Sequence, residues 1–150
     1  MNTNMNSTVI ERRVLLSTIW LFAALNYLYC DVISLMDSNL LKQYLTGTVN
    51  GLEFNQGFLL GAAVLVEIPI AMVLLARVLP YGVNRWTNIM AGLLMTVVQA
   101  ASLFAGAPAM YYLFCSVLEI AATVMIVWFA WNWRLAGSSD QKVNQEYPAV

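Results

Sequence analysis

The sequence predicts an all-α integral membrane protein: a bundle of four transmembrane helices, both termini cytoplasmic, with a short external amphipathic cap between the first two. Three observations carry this reading. Of 150 residues, 61% are hydrophobic and 10% charged, with a mean hydropathy of +0.70, whereas an ordinary soluble domain has about 25% charged residues. Four stretches approach the roughly 20 apolar residues a helix needs to cross about 30 Å of hydrocarbon. The polar residues inside them recur at steps of three or four, the spacing of one helical face.

The elements follow in order. Residues 1–13 form a polar cytoplasmic tail, the four spans cover 14–35, 57–79, 87–105 and 110–131 within a membrane domain at 14–134, and 135–150 form a flexible cytoplasmic tail. The first span is longer than the roughly 7–15 apolar residues of a signal peptide and lacks a small-residue cleavage site, so it is expected to remain. In the connection after it, Asp37 or Ser38 can cap a short helix carrying Leu40, Leu41, Tyr44 and Leu45, which Gly47 ends. Asn50-Gly51 then reads as a tight hairpin turn, because this pair tolerates positive φ. The uncharged link Gly106-Ala107-Pro108-Ala109 is so short that the third and fourth spans must be antiparallel neighbours.

Orientation follows from the basic residues. Arg12, Arg13, Arg77, Arg85, Arg134 and Lys142 fall on one side of four alternating spans, and Lys42 alone on the other. The positive-inside rule puts the first group in the cytoplasm. Trp128, Trp131 and Trp133 then form an aromatic belt at the inner end of the last span, and Tyr111 and Tyr112 one at its outer end.

Composition also excludes chemistry. A net charge of −1 leaves no electrostatic footprint for nucleic acid. Without histidine there is no imidazole-bound haem, catalytic zinc site or His-based triad, and a transition-metal site is disfavoured. Cys30 and Cys115 form no Cys-x-x-Cys pair, so neither a disulfide framework nor a thioredoxin-like motif is indicated. No cofactor or metal is expected.

The candidate site is a layer of polar side chains within the bilayer, where a lone carboxylate is costly and is expected to face protein or water. On the third span Asn88, Gly92, Thr96, Gln99, Ser102 and Gly106 share a face. On the fourth span Tyr112, Cys115, Ser116, Glu119, Ala122 and Thr123 do the same. The first span offers Asn26, Tyr27, Cys30, Asp31 and Ser34, and the second Glu67, flanked by Ala63 and Ala71. Counted at a rise of about 1.5 Å per residue, Asn26, Glu67 and Glu119 lie about 13–15 Å from the outer border, Gln99 about 9 Å and Asp31 about 6 Å. Glu67 and Glu119 are therefore expected to meet and share a proton, with Asn26, Gln99, Tyr27, Tyr112 or a cation as partners and Asp31 at the mouth of a cavity beneath the cap. Gly57 and Gly61 read as a close helix contact.

The strings Leu25-Asn26-Tyr27-Leu28-Tyr29-Cys30-Asp31, Gly57-Phe58-Leu59-Leu60-Gly61-Ala62-Ala63, Glu67-Ile68-Pro69-Ile70-Ala71-Met72 and Asn84-Arg85-Trp86-Thr87-Asn88-Ile89 resemble a family of small bacterial four-span membrane proteins known only as a domain of unknown function. The resemblance implies a bacterial cytoplasmic-membrane protein and supplies no activity. More loosely, the architecture is similar to DoxX-like four-helix bundles.

The leading expectation is a multi-pass protein that binds or transports a small or lipophilic molecule, or a cation, at the carboxylate and amide layer, with proton coupling as an option. Its ligand-binding residues would be Glu67, Glu119, Asn26, Gln99, Asp31, Tyr27 and Tyr112. Its partners would be membrane lipids and that ligand; self-association is left open. The alternatives are a membrane enzyme using the glutamates as acid and base, which leaves catalytic residues unassigned, and an accessory subunit whose polar layer fixes helix register. A small multidrug transporter is disfavoured, because its essential glutamate lies on the first helix and the basic residues here are one-sided.

Overall fold

The computed structural model describes residues 2–49, 51–104 and 108–133, the side chains of 2–8 excepted. Five helices dominate: α1 (Asn2–Ser34), α2 (Ser38–Thr46), α3 (Gln56–Val78), α4 (Tyr81–Ser102) and α5 (Met110–Trp131). Two short strands, β1 (Thr48–Val49) and β2 (Leu52–Glu53), pair antiparallel between α2 and α3. Gly106, Ala107, Asn50, Arg134 and the expected tail at 135–150 lie outside the described residues.

The four long helices form an up-down-up-down bundle, in which α1 packs on α3 and α5, α5 packs on α4, and the contact between α3 and α4 is thin. Side-chain bonds fix the directions. Ser17 Oγ donates to Val73 O at 2.7 Å and Arg12 Nη1 to Phe129 O at 3.3 Å, joining early residues of α1 to late ones of α3 and α5. From α4 to α5 the pairs run Thr96 with Thr123, Gln99 with Ser116 and Ser102 with Tyr112, so one helix rises as the other descends.

The cap forms as its sequence requires. Asp37 Oδ1 accepts the Asn39 and Leu40 amides at 2.9 and 3.3 Å, satisfying donors at the start of α2. Gly47 ends α2 at φ 75°, a left-handed conformation that costs glycine no Cβ clash, and Gly51 at φ 82° serves the hairpin. Asn55 then caps α3 by accepting the Phe58 amide at 2.9 Å. Leu79 and Pro80, both extended, separate α3 from α4. There Asn84 Nδ2 reaches back to Ala76 O at 2.6 Å and closes the corner.

The interior holds buried polar side chains beside an apolar core, and the outside of the bundle is largely apolar. Asn84, Asn88, Gln99, Ser116, Glu119 and Thr123 are buried, while Leu28, Val64, Leu74, Val97, Phe114 and Val117 are exposed. Three helices are long and apolar enough to cross a membrane: Val9–Ser34, Gln56–Val78 and Met110–Trp131. Length and composition therefore qualify three spans rather than the expected four. The helix left out is α4, whose 22 residues include the inward-facing Asn84, Asn88 and Gln99 that lower its hydropathy.

Other expectations are also corrected. Residues 2–13, read as a tail, are already helical in α1. The first turns described stay on the bundle through Val9, which packs on the apolar core of Leu16, Trp20, Met72, Ala76, Met95, Ile126 and Trp133. Trp133 does not join the aromatic belt: it is buried in that core, where its carbonyl accepts the Tyr81 hydroxyl at 2.6 Å and its ring meets Tyr81 edge-on at 5.2 Å. On α3 the buried face is Pro69, Met72 and Ala76, and the side carrying Glu67 is exposed. Gly57 and Gly61 are exposed as well, and a Cβ on Gly61 would meet nothing within 4 Å. The close approach occurs at Gly92, where a Cβ would stand 2.7 Å from Val127 Cγ2 and 3.3 Å from Thr123 O.

Candidate functional site

A hydrogen-bonded seam runs down the α4–α5 interface. At its outer end the Tyr112 hydroxyl donates to Ser102 Oγ at 2.7 Å, and Ser102 Oγ donates to Gln99 O at 2.7 Å. One level deeper Gln99 Nε2 donates to Ser116 Oγ at 2.8 Å. Below Glu119, Thr96 Oγ1 donates to Thr123 Oγ1 at 2.8 Å, and Thr123 Oγ1 to Glu119 O at 3.0 Å. The innermost level is a triad in which Trp20 Nε1 donates to Asn88 Oδ1 at 2.8 Å and Asn88 Nδ2 to Asn84 Oδ1 at 2.6 Å.

Almost every group in this seam is paired, and Glu119 is the exception. Its residue is 1% exposed, yet Oε1 has no hydrogen-bond partner among the described residues. Its electrostatic neighbours include Asp31 and Tyr27 on α1 and Tyr112 on its own helix. The Tyr27 hydroxyl is also buried without a partner among the described residues. A buried unpaired polar atom costs about 1–3 kcal/mol, and more if charged, so an acceptor and a hydroxyl left open at one level mark a place prepared for something else.

Further toward the cap lies a cleft of about 390 Å³ between the cap and that end of the bundle, whose lining includes neither Glu119 nor Tyr27. Ser34, Ser102, Tyr111 and Tyr112 line its bundle side; Asp37, Gln43, Tyr44, Phe54 and Phe58 are among the residues of its cap side. The cap side presents a ladder of rings, Tyr44 on Phe54 at 5.6 Å and Phe54 on Phe58 at 4.8 Å, both stacked. The Tyr111 hydroxyl is likewise buried without a partner among the described residues. The wall is therefore flat and aromatic on one side and offers hydroxyls on the other.

The expected layer is brought together only in part. Tyr27 and Tyr112 are electrostatic neighbours of Glu119, and Gln99 joins α5 one turn away through Ser116. Asp31 is an exposed side chain on α1 but lies within electrostatic reach of Glu119 and Tyr44. Glu67 is exposed on α3 while Glu119 is fully buried, so the two glutamates do not meet, and Asp31 is the carboxylate that Glu119 senses. Asn26 bonds back to Phe22 O of its own helix at 2.9 Å and edges a shallow depression on α1 with Leu25, Leu28 and Tyr29. Two features escaped the sequence reading. The Tyr44, Phe54 and Phe58 ladder joins α2, the link after β2 and α3, and has no periodicity to betray it. Trp20 looked like one more apolar residue, although a buried indole N–H asks for an acceptor.

The family model described as a family of unknown function (DUF6326) matches residues 6–139. No curated protein and no solved structure matches the chain.

Proposed function

From the premise that the chain belongs to this family of unknown function, we propose that it is a four-span protein of the bacterial cytoplasmic membrane that binds a small lipophilic molecule in the cleft beneath its cap. In this reading α4 is the fourth span. Its 22 residues make about 33 Å of helix, enough for a bilayer core, and its polar side chains turn inward, where they cost nothing against lipid. Both termini lie in the cytoplasm, and the cap and cleft face outward. Arg12 and Arg85 support that frame by donating to carbonyls at the end of α5, with Arg13 doing so at the end of α3, where a cation also suits the helix dipole.

The observation that carries the binding reading is Glu119 Oε1, buried and unpaired beneath an aromatic cleft. The ring ladder would take the apolar part of a ligand. Tyr111 and Tyr112 line the cleft and would meet its polar end by hydrogen bonding, and a ligand group that passes Tyr112 would reach Tyr27 and Glu119, which lie deeper than the cleft's lining. Asn26, Asp31 and Glu67 have a lesser part: Asp31 sits near the mouth, whereas Asn26 and Glu67 stand apart from the cleft.

Native mass spectrometry of the gently solubilised protein tests this. A small lipophile should travel with the protein and be lost in Glu119→Gln, with melting in detergent little changed. If nothing co-purifies and Glu119→Leu is more stable than the parent at unchanged cell phenotype, the seam serves only to fix helix register.

A further inference from the structure

The end of the bundle opposite the cap carries two arginines on neighbouring helices. Arg13 and Ser17 stand one turn apart on α1 and meet Arg77 and Val73, one turn apart on α3. Ser17 Oγ donates to Val73 O at 2.7 Å and accepts from Arg77 Nε at 2.9 Å, while Arg13 Nη1 donates to Arg77 O at 3.4 Å. Both side chains are thereby drawn into one junction between α1 and α3.

Neither guanidinium is satisfied there. Each fork has five N–H donors, and among the described residues Arg77 uses only Nε and Arg13 only Nη1, with Arg13 Nε buried and unpaired. Among the described residues no carboxylate forms an ion pair with either. Glu11, the acidic residue nearest Arg13 in the chain, is exposed, and two residues along a helix it points away from Arg13. Two like charges without a counter-charge in one junction ask for an anion, because the negative end of the α3 dipole supplies only about half a charge.

We propose that Arg13 and Arg77 hold the phosphate of an anionic phospholipid in the groove between α1 and α3. Phosphate follows from the forks, whose planar, paired N–H groups match its oxygens bidentately. The lipid follows from what adjoins them. Val14 is exposed beside Arg13, and Leu74 and Val78 beside Arg77, with Leu21 and Ile70 exposed further along the same two helices. Acyl chains lie on such a surface, whereas a soluble phosphate gains nothing from it. In the orientation proposed above this end meets the cytoplasmic leaflet, whose anionic lipids attract basic residues and whose headgroups enter basic pockets between helices. The site rests on the membrane reading and is independent of the cleft at the other end.

The full chain, purified in a nonionic detergent and stripped of lipid, is given phosphatidylglycerol, phosphatidylcholine or inorganic phosphate at equal concentration. Native mass spectrometry counts bound lipid, and melting is followed alongside. Phosphatidylglycerol should be retained in preference to phosphatidylcholine and should raise the melting temperature, and inorganic phosphate should leave melting unchanged. Arg13→Gln and Arg77→Gln should each weaken retention of one phosphatidylglycerol about fivefold, the effect of losing one cation beside an anionic headgroup. Arg85→Gln, at the same end but bonded to Trp131 O of α5, should leave retention as it is. Equal retention of the two lipids by the parent overturns the proposal whatever the variants do. Equal stabilisation by inorganic phosphate refutes a lipid as the source, and an equal loss in Arg85→Gln refutes the pair in favour of the diffuse charge of that end. Arg77→Gln also loses the Ser17 bond, so the lipid-dependent shift is compared within each variant, and Arg13→Gln carries the test if Arg77→Gln does not fold.

Discussion

Trp20 on α1 and Asn88 on α4 are joined across the diagonal of the bundle, Nε1 to Oδ1 at 2.8 Å, although their helices are not neighbours around its ring. Both residues are fully buried. Asn88 can face Trp20 because its amide nitrogen is held by Asn84, at 2.7 Å to the carbonyl and 2.6 Å to Oδ1. The triad thus sets the rotation of α4 against α1 at the level where the apolar core begins.

Asn88→Ala leaves the Trp20 N–H buried without an acceptor and should cost about 1–3 kcal/mol. Trp20→Phe combined with Asn88→Leu removes both needs at once and should be milder than the sum of the two single changes. Denaturation of the purified protein in mixed micelles, followed by tryptophan fluorescence, checks both; purely additive losses would show that the bond carries no coupling.

Gly92→Ala should destabilise the bundle by about 1–3 kcal/mol through overpacking, because the new methyl would stand 2.7 Å from Val127 Cγ2 with the Thr123 carbonyl behind it. Gly61→Ala, where the same atom meets nothing, should be silent or slightly stabilising in the monomer. Thermal melting of the two variants side by side distinguishes a contact at Gly92 from one at Gly61.

Glu67 stands at the middle of α3 with its side chain exposed. If α3 spans the bilayer, Glu67→Leu should favour insertion by about 2 kcal/mol or more, on the scale for a central carboxylate. A glycosylation-mapping assay of the isolated second span measures this. No change on substitution would mean that Glu67 already lies against water or a partner.

Tyr44 gives the cap a pH dependence. Burial, then the nearby Asp31 carboxylate, raise its phenol above the ordinary value, with Tyr111, Tyr112 and Cys30 acting in the same direction. The folded cap therefore holds the phenol proton more tightly than the open one. That stabilisation is complete below the unfolded value of about 10 and is lost as pH rises through the folded value. Proteolysis of the cap should accelerate only in alkali above that range, and Tyr44→Phe should remove the acceleration; an onset near neutral pH would point to another group.

Much of this was legible in the residues themselves. Composition announced apolar helices, and Asp37 and Gly47 placed the boundaries of the cap helix, because capping is settled within a few residues of chain. The inner faces of α4 and α5 were legible because small and polar residues alternate there with bulky apolar ones, which gives a helix a phase. On α3 apolar residues surround the axis and Glu67 is the lone mark, so the expected rotation followed that one residue and came out reversed.

The sequence by itself thus determined the apolar character of the chain, the helices, the cap and the polar stripe on α4 and α5. Each is a property of local spacing or of an average over the chain. Tertiary structure decided which polar groups meet: it turned Glu67 outward, left Glu119 Oε1 unpaired among the described residues, laid the Tyr44, Phe54 and Phe58 rings over the bundle's mouth and joined Trp20 to Asn88. The physical reason is that hydrogen bonds and ring contacts reach only a few ångströms. Whether two side chains on different helices come that close depends on how every helix is rotated and how deep it sits, and close packing of all four settles that together.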